Sequence, residues 1–153
     1  MAIGLTLQPV GVVHNEITEP THEDWSRVNS RIEVYPEYAP GLAGLEDWSH
    51  IVVVYVMHRA AFDITRDLVR RPGDLDSMPE LGIFAQRARH RPNLIGITAV
   101  ALLGVEGSTL RVRGLDAIDG TPVVDIKPYA PIYDGVINPL VPAWFMRLMQ
   151  GAG

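Results

Sequence analysis

Asp125 and Lys127 stand two residues apart at the end of the apolar run that begins at Val123, and Tyr129 follows two residues later. In an extended segment side chains alternate, so positions two apart share a face. A carboxylate, an ammonium and a phenol there supply the parts of a proton transfer: an acceptor, a charge that keeps it ionised, and a hydroxyl that orients a nucleophile. The same spacing also suits an ordinary ion pair on a strand. Asp125, Lys127 and Tyr129 are therefore catalytic candidates, and their types alone do not say which is the base. Just upstream, Asp119-Gly120-Thr121-Pro122 has the composition of a turn. Glycine at 120 is free to take positive φ and turn neighbouring N–H groups outward. A second concentration of chemistry lies in the stretch from Leu81 to Gly96, where Arg87, Arg89 and Arg91 alternate. On a strand they would share one face, which costs repulsion unless an anion or interspersed acids offset it.

Other chemistries are excluded by what is missing. With no cysteine in 153 residues there is no disulfide, thiol nucleophile or cysteine-containing zinc site. Five histidines occur, none at the i,i+4 spacing of a zinc protease. His50 and His58 are eight apart and would need a third ligand from elsewhere, so no metal is expected. There is no Gly-x-Gly-x-x-Gly after a strand, no phosphate loop and no Gly-x-Ser-x-Gly elbow. The net charge of −5 argues against a surface that holds nucleic acid by bulk potential. The charge is uneven, however. Seven of the 13 cations fall between His58 and Arg91, and every cation but Lys127 is arginine, whose planar fork suits carboxylate and phosphate.

The elements that must position these groups are short. The chain has 14 glycines and 12 prolines spread along its length, punctuating brief apolar runs. Leu5 to His14, Asn29 to Tyr35, Ile51 to Met57, Gly82 to Ala88, Ile95 to Leu103, Thr109 to Leu115 and Pro122 to Ile126 read as strands. Ile51 to Met57 is almost wholly apolar and should lie centrally. Phe62 to Arg70 reads as two helical turns stopped by Pro72-Gly73, and Ala143 to Gln150 as a short terminal helix. The expected fold is all-β: a small single-sheet β-barrel of about seven strands with short helices. Residues 1–153 are expected to form one barrel domain with an extension from about 135 to 153 and no separate second domain. No apolar stretch approaches the roughly 20 residues that span a bilayer, and no signal peptide precedes Val10, so a cytoplasmic protein is expected.

Glu46-Asp-Trp-Ser-His-Ile51, Leu81-Gly-Ile-Phe-Ala-Gln-Arg87 with Arg91-Pro-Asn-Leu-Ile-Gly96, and Asp119-Gly-Thr-Pro-Val-Val-Asp-Ile-Lys-Pro-Tyr129 occur in order. Together they resemble the TsaA-like (TrmO/YaeB-like) family, over nearly the whole chain from Leu7 to Asp134. The resemblance implies a small barrel that binds S-adenosylmethionine, often as a homodimer. Its better-known members methylate N6 of threonylcarbamoyladenosine beside the anticodon of a tRNA. It also implies cofactor positions at Pro20, Thr21 and His22, at His58 and Arg59, at Arg87, at Ile97, and at Asp119, Gly120 and Thr121. Arg89 and Arg91 are left for substrate phosphate, with Arg66, Arg70 and Arg71 nearby in sequence. Two positions depart from the family pattern: Pro20-Thr21-His22 replaces Pro-Arg-Gln, and Leu94 replaces the second proline of Arg-Pro-Asn-Pro-Ile-Gly. Three functions follow, in order of preference: methylation of tRNA, methylation of a small molecule, and cofactor binding without chemistry.

Overall fold

The computed structural model describes residues 4–21 and 24–151. Its strands are β1 (Gly11–His14), β2 (Asn29–Val34), β3 (His50–Val56), β4 (Val69–Arg70), β5 (Leu81–Gly82), β6 (Ile95–Glu106), β7 (Thr109–Arg113) and β8 (Pro122–Pro128). Three short helices accompany them: α1 (Ile64–Asp67), α2 (Pro131–Asp134) and α3 (Ala143–Met149). Six strands close an antiparallel barrel in the order β1-β2-β7-β6-β3-β8. β4 and β5 form a separate two-stranded ladder. By contacts the chain divides into two compact units, Met1–Arg59 with Ile95–Tyr129, and Ala60–Leu94 with Ala130–Gly153.

The barrel follows from the period-2 pattern. In β2, Ser30, Ile32 and Val34 are buried while Asn29, Arg31 and Glu33 face out; in β7, Leu110 and Val112 are buried while Arg111 and Arg113 face out. Ile51, Val53 and Tyr55 of β3 point inward with them, and Val13, Val100 and Val123 complete the apolar interior. Gly96 stands opposite Tyr55 in the β3–β6 register, and a Cβ added there would lie 2.4 Å from the tyrosine ring. The ring therefore fills the space a side chain would take. Its hydroxyl donates to the Asp116 carboxylate at 2.8 Å and pairs with Thr98 Oγ at 3.1 Å.

The second unit depends on polar organisation. Asp63 caps α1, accepting from the Thr65 amide at 2.8 Å and its hydroxyl at 2.6 Å. Asp67 is fully buried, yet its carboxylate accepts from Arg66 at 3.0 Å, Arg70 at 2.8 Å and the Asp63 amide at 2.8 Å. Arg70 reaches on to Asp74 at 2.8 Å. The hydrogen bonds from Arg66, opposed by desolvation, hold the Asp67 carboxyl well below the usual carboxylate range. Met78 and Ile83 are the buried apolar anchors, and Trp144 meets Phe145 edge to face at 5.9 Å.

Three expected elements are shorter or different. The first strand begins at Gly11, not Leu5, and exposed Leu5 and Leu7 precede it. The helix expected over Phe62 to Arg70 is the single turn Ile64–Asp67, because Val69 and Arg70 pair with Gly82 and Leu81 instead. The strand expected over Gly82 to Ala88 breaks into a 3-10 turn at Ile83–Ala85, because the buried Gln86 amide donates to Arg70 O and Leu81 O at 2.8 and 2.9 Å. A barrel of six strands plus one ladder thus replaces the expected seven.

Candidate functional site

The Asp119-Gly120-Thr121-Pro122 turn leads into β8 and is pinned to the barrel on one side. Gly120 takes φ +82°, as the sequence demands. Its amide donates to Val13 O at 2.8 Å, that of Asp119 to Ile17 O at 2.7 Å, and that of Thr121 to Ile118 O at 3.2 Å. The expectation that this turn turns its N–H groups outward is therefore wrong: all three are spent within the fold. The Thr121 hydroxyl is likewise buried and donates to Ile118 O at 2.7 Å. The turn offers a ligand the exposed backbone of Gly120, bare of any side chain.

Two other predicted segments come to this turn. The His58 ring, just beyond β3, places Nε2 3.9 Å from where a Cβ on Gly120 would sit. Next to it, Arg59 reaches the loop before Pro20 and Thr21, donating to Thr18 O at 3.3 Å and to Glu19 at 2.8 Å. Pro20 and Thr21 are exposed; His22 lies outside the described residues. The structure thus joins the 18–21 loop, His58-Arg59 and the 119–121 turn within one unit, although 40 residues separate Arg59 from Glu19.

Ile97 lies on the outer face of β6, 53% exposed. It is register partner of Val54, which on its other side is partner of Asp125 in β8. Ile97, Val54 and Asp125 make one row across three strands, so Ile97 and Asp125 are about 10 Å apart at their backbones. Asp125 and Lys127 are bonded to each other at 2.7 Å, with side chains 46% and 64% exposed. The hydrogen bond and charge of Asp125 raise the Lys127 ammonium above its ordinary value. The other Asp125 oxygen accepts the Ile126 amide at 2.9 Å. Tyr129 is half-buried and its amide donates to His50 O at 3.0 Å, tying the end of β8 to β3. Lys127, raised by the Asp125 carboxylate, keeps its proton and does not suit the part of a general base.

The arginine series divides. Arg87, Arg89 and Arg91 belong to the second unit and lie on no strand, so they do not share a strand face. Arg91 braces its own loop, donating to Gln86 O at 2.6 Å and Ala88 O at 3.2 Å. Arg87 and Arg89 are exposed. Leu94, where the family pattern has proline, takes φ +55°, a conformation the pyrrolidine ring forbids. That turn therefore differs in kind from one built on proline. Among the described residues no group of three or more histidines or acids stands ready to hold a metal ion, and no helix is long and apolar enough to cross a membrane. What the sequence missed is an open cavity of about 760 Å³ on the barrel wall, lined in part by Asn15, Arg31, Arg111 and Asp119. The alternation of β2 and β7 marks Arg31 and Arg111 as outward-facing, but only the strand register brings them together.

Comparison with known proteins shows the family and the fold. The family described as tRNA-methyltransferase O N-terminal domain matches residues 15–135. An S-adenosyl-L-methionine-binding protein of Archaeoglobus fulgidus is 41% identical over 136 residues, covering 86% of this chain and 94% of that protein. The tRNA (adenine(37)-N6)-methyltransferase of Homo sapiens is 40% identical over 116 residues, 76% of this chain and 25% of its own length. The crystal structure of TrmO from Pseudomonas aeruginosa superposes with TM-score 0.76 at 31% identity, covering 94% of this chain. The chain spans 62% of that structure, and 37% of another A. fulgidus relative. It belongs to the family of the tRNA-methyltransferase O N-terminal domain.

Proposed function

We propose that this chain binds S-adenosylmethionine and transfers its methyl group to an exocyclic adenine nitrogen in tRNA, with N6 of threonylcarbamoyladenosine beside the anticodon as the acceptor. The observation that carries the reading is the meeting of the 18–21 loop, His58-Arg59 and the Gly120 turn in a chain of this family. The residues suit the cofactor. Gly120 leaves a surface without a side chain beside the His58 ring. Ile97 supplies apolar wall. Arg87 is assigned to the cofactor's carboxylate, which a guanidinium binds through paired hydrogen bonds. When bound, the cofactor supplies an electrophilic sulfonium methyl. The nitrogen that accepts it must lose its proton, and Asp125 takes that proton, with Lys127 bonded beside it and Tyr129 orienting the acceptor.

Arg89 is assigned to substrate phosphate. Arg91, whose Nη1 is committed to two carbonyls, shapes the loop that presents it. The protein acts as a cytoplasmic homodimer in this reading. Ile132, Tyr133, Val136, Ile137 and Leu140 are each at least 72% exposed, a density of apolar surface that a second copy would cover. Sedimentation at working concentration should give twice the 16.9 kDa of the chain.

Incubation with methyl-labelled cofactor and either total tRNA or a small-metabolite extract tests the activity. Label should enter tRNA and fall by at least about tenfold in Asp125→Asn. Label confined to metabolites would replace the tRNA acceptor with a small molecule. No label in either, with cofactor still bound, would reduce the chain to a binding module.

A further inference from the structure

The outer wall of β1, β2 and β7 carries a row of basic groups apart from the cofactor residues. His14 is register partner of Arg31, and Arg31 is register partner of Arg111. Directly opposed side chains of an antiparallel pair have Cβ atoms about 5 Å apart, and the like charges of Arg31 and Arg111 so placed repel. Neighbouring acids relieve only part of this. Glu33 is bonded to His14 at 2.7 Å, and Glu106 accepts from Arg111 Nε at 2.9 Å. No ion pair to Arg31 occurs among the described residues.

The row is shaped as well as charged. Past Arg111 it meets Gly104, where a bulge interrupts the β6–β7 register. A Cβ on Gly104 would lie 2.5 Å from Arg111 Nη2, so the guanidinium lies across a backbone that has no side chain. Both arginines line the 760 Å³ cavity, which lies wholly in the barrel unit and is within the size range of small-molecule sites. Asn29 and Ser30 line it with them, and Glu16 and Asp119 are its acids. Asp119 is held by the Asn15 amide at 3.0 Å. The cavity therefore extends to the turn assigned above to the cofactor.

We propose that Arg31 and Arg111 together seat one phosphodiester of the RNA substrate in this cavity. Arg31 and Arg111 are cross-strand partners that line the same cavity, so two guanidinium forks can close on one phosphate there, and the bound anion offsets the repulsion between them. The identity of the anion's carrier rests on the tRNA reading above; the anion site does not.

The experiment measures affinity for a labelled anticodon stem-loop RNA between about 50 and 200 mM salt. In Arg31→Ala and in Arg111→Ala affinity should fall about tenfold. The slope of log affinity against log salt should become shallower by about 0.7, the value of one single-strand phosphate. The double variant should lose little more than either single one, because a shared phosphate is lost only once. Gly104→Ala, which moves the Arg111 guanidinium without removing charge, should weaken binding in the same direction. Affinity for S-adenosylmethionine and the unfolding midpoint should not change in any of them. Unchanged RNA affinity and slope in the double variant would overturn the proposal, as would fully additive losses, which describe general attraction. Should the wild-type chain bind no RNA, the tRNA reading fails, and titration with inorganic phosphate judges the anion site alone. A saturable shift of the Arg31 and Arg111 Nε–H resonances would uphold that site, and its absence would overturn it.

Discussion

The two units of this chain are held by different chemistry. Among the described residues the barrel buries thirteen in one cluster, every one apolar or aromatic. Its only buried tyrosine has its hydroxyl fully engaged. The unit of Ala60–Leu94 and Ala130–Gly153 buries few apolar groups, chiefly Met78 and Ile83 beside Pro72, and arranges the rest around the carboxylate of Asp67 and the amide of Gln86. The barrel is an insulated frame whose outer side chains can vary. The other unit spends its polar groups on holding its own backbone. Arg66, Arg70 and Arg91, which look alike in sequence to a phosphate-binding series, all bond groups of their own unit, Arg66 with its side chain still 63% exposed.

The contrast predicts unequal responses. Ile51→Ala, at the centre of the barrel interior, should cost about 2–5 kcal/mol in denaturant unfolding. Gly96→Ala should cost about 1–3 kcal/mol, because the new methyl group meets the Tyr55 ring and the barrel must shift to admit it. A smaller loss in either would mean that the interior is looser than its burial indicates. The second unit should respond to acid instead. The Asp67 pKa is depressed in the folded chain, so its contribution is fully present above the ordinary unfolded value near about 3.9 and lost as pH falls below it. The protection of residues 64–86 from hydrogen exchange, taken relative to the intrinsic rate at each pH, should therefore fall below about pH 4, and in Asp67→Asn that acid dependence should flatten. Acid-insensitive exchange in the wild-type chain would remove the distinction between the units. The smallest effect belongs to Lys127→Ala. Its exposed pair with Asp125 should leave the thermal midpoint essentially unmoved while lowering methyl transfer.

Much of the barrel was legible because β2 and β7 alternate strictly and β3 is an unbroken apolar run. Arg111 and Arg113 against Leu110 and Val112 leave one choice of inward face. The turn at Gly120 was legible for the same local reason, since only its φ was needed. What failed was long-range. Nothing in the order of residues says that the Gln86 amide will satisfy Arg70 O and Leu81 O, which breaks the expected strand and scatters Arg87, Arg89 and Arg91. Nor does local pattern reveal that the N–H groups of Asp119 and Gly120 are taken by Ile17 O and Val13 O, from a strand and loop about 100 residues earlier. The pairing of Asp125 with Lys127 followed from period 2 alone. The opposition of Arg31 and Arg111 required the β2–β7 register, a property of the closed barrel.

The most direct test of the account is calorimetric titration of the purified chain with S-adenosylmethionine and with its demethylated product. Saturable binding of both is predicted. It should weaken by about 1.5–3 kcal/mol in Arg87→Ala if that guanidinium holds the carboxylate, and remain unchanged in Arg31→Ala. Absence of any binding heat from either ligand, under conditions where the chain is folded and across a range of temperatures, would contradict the central claim.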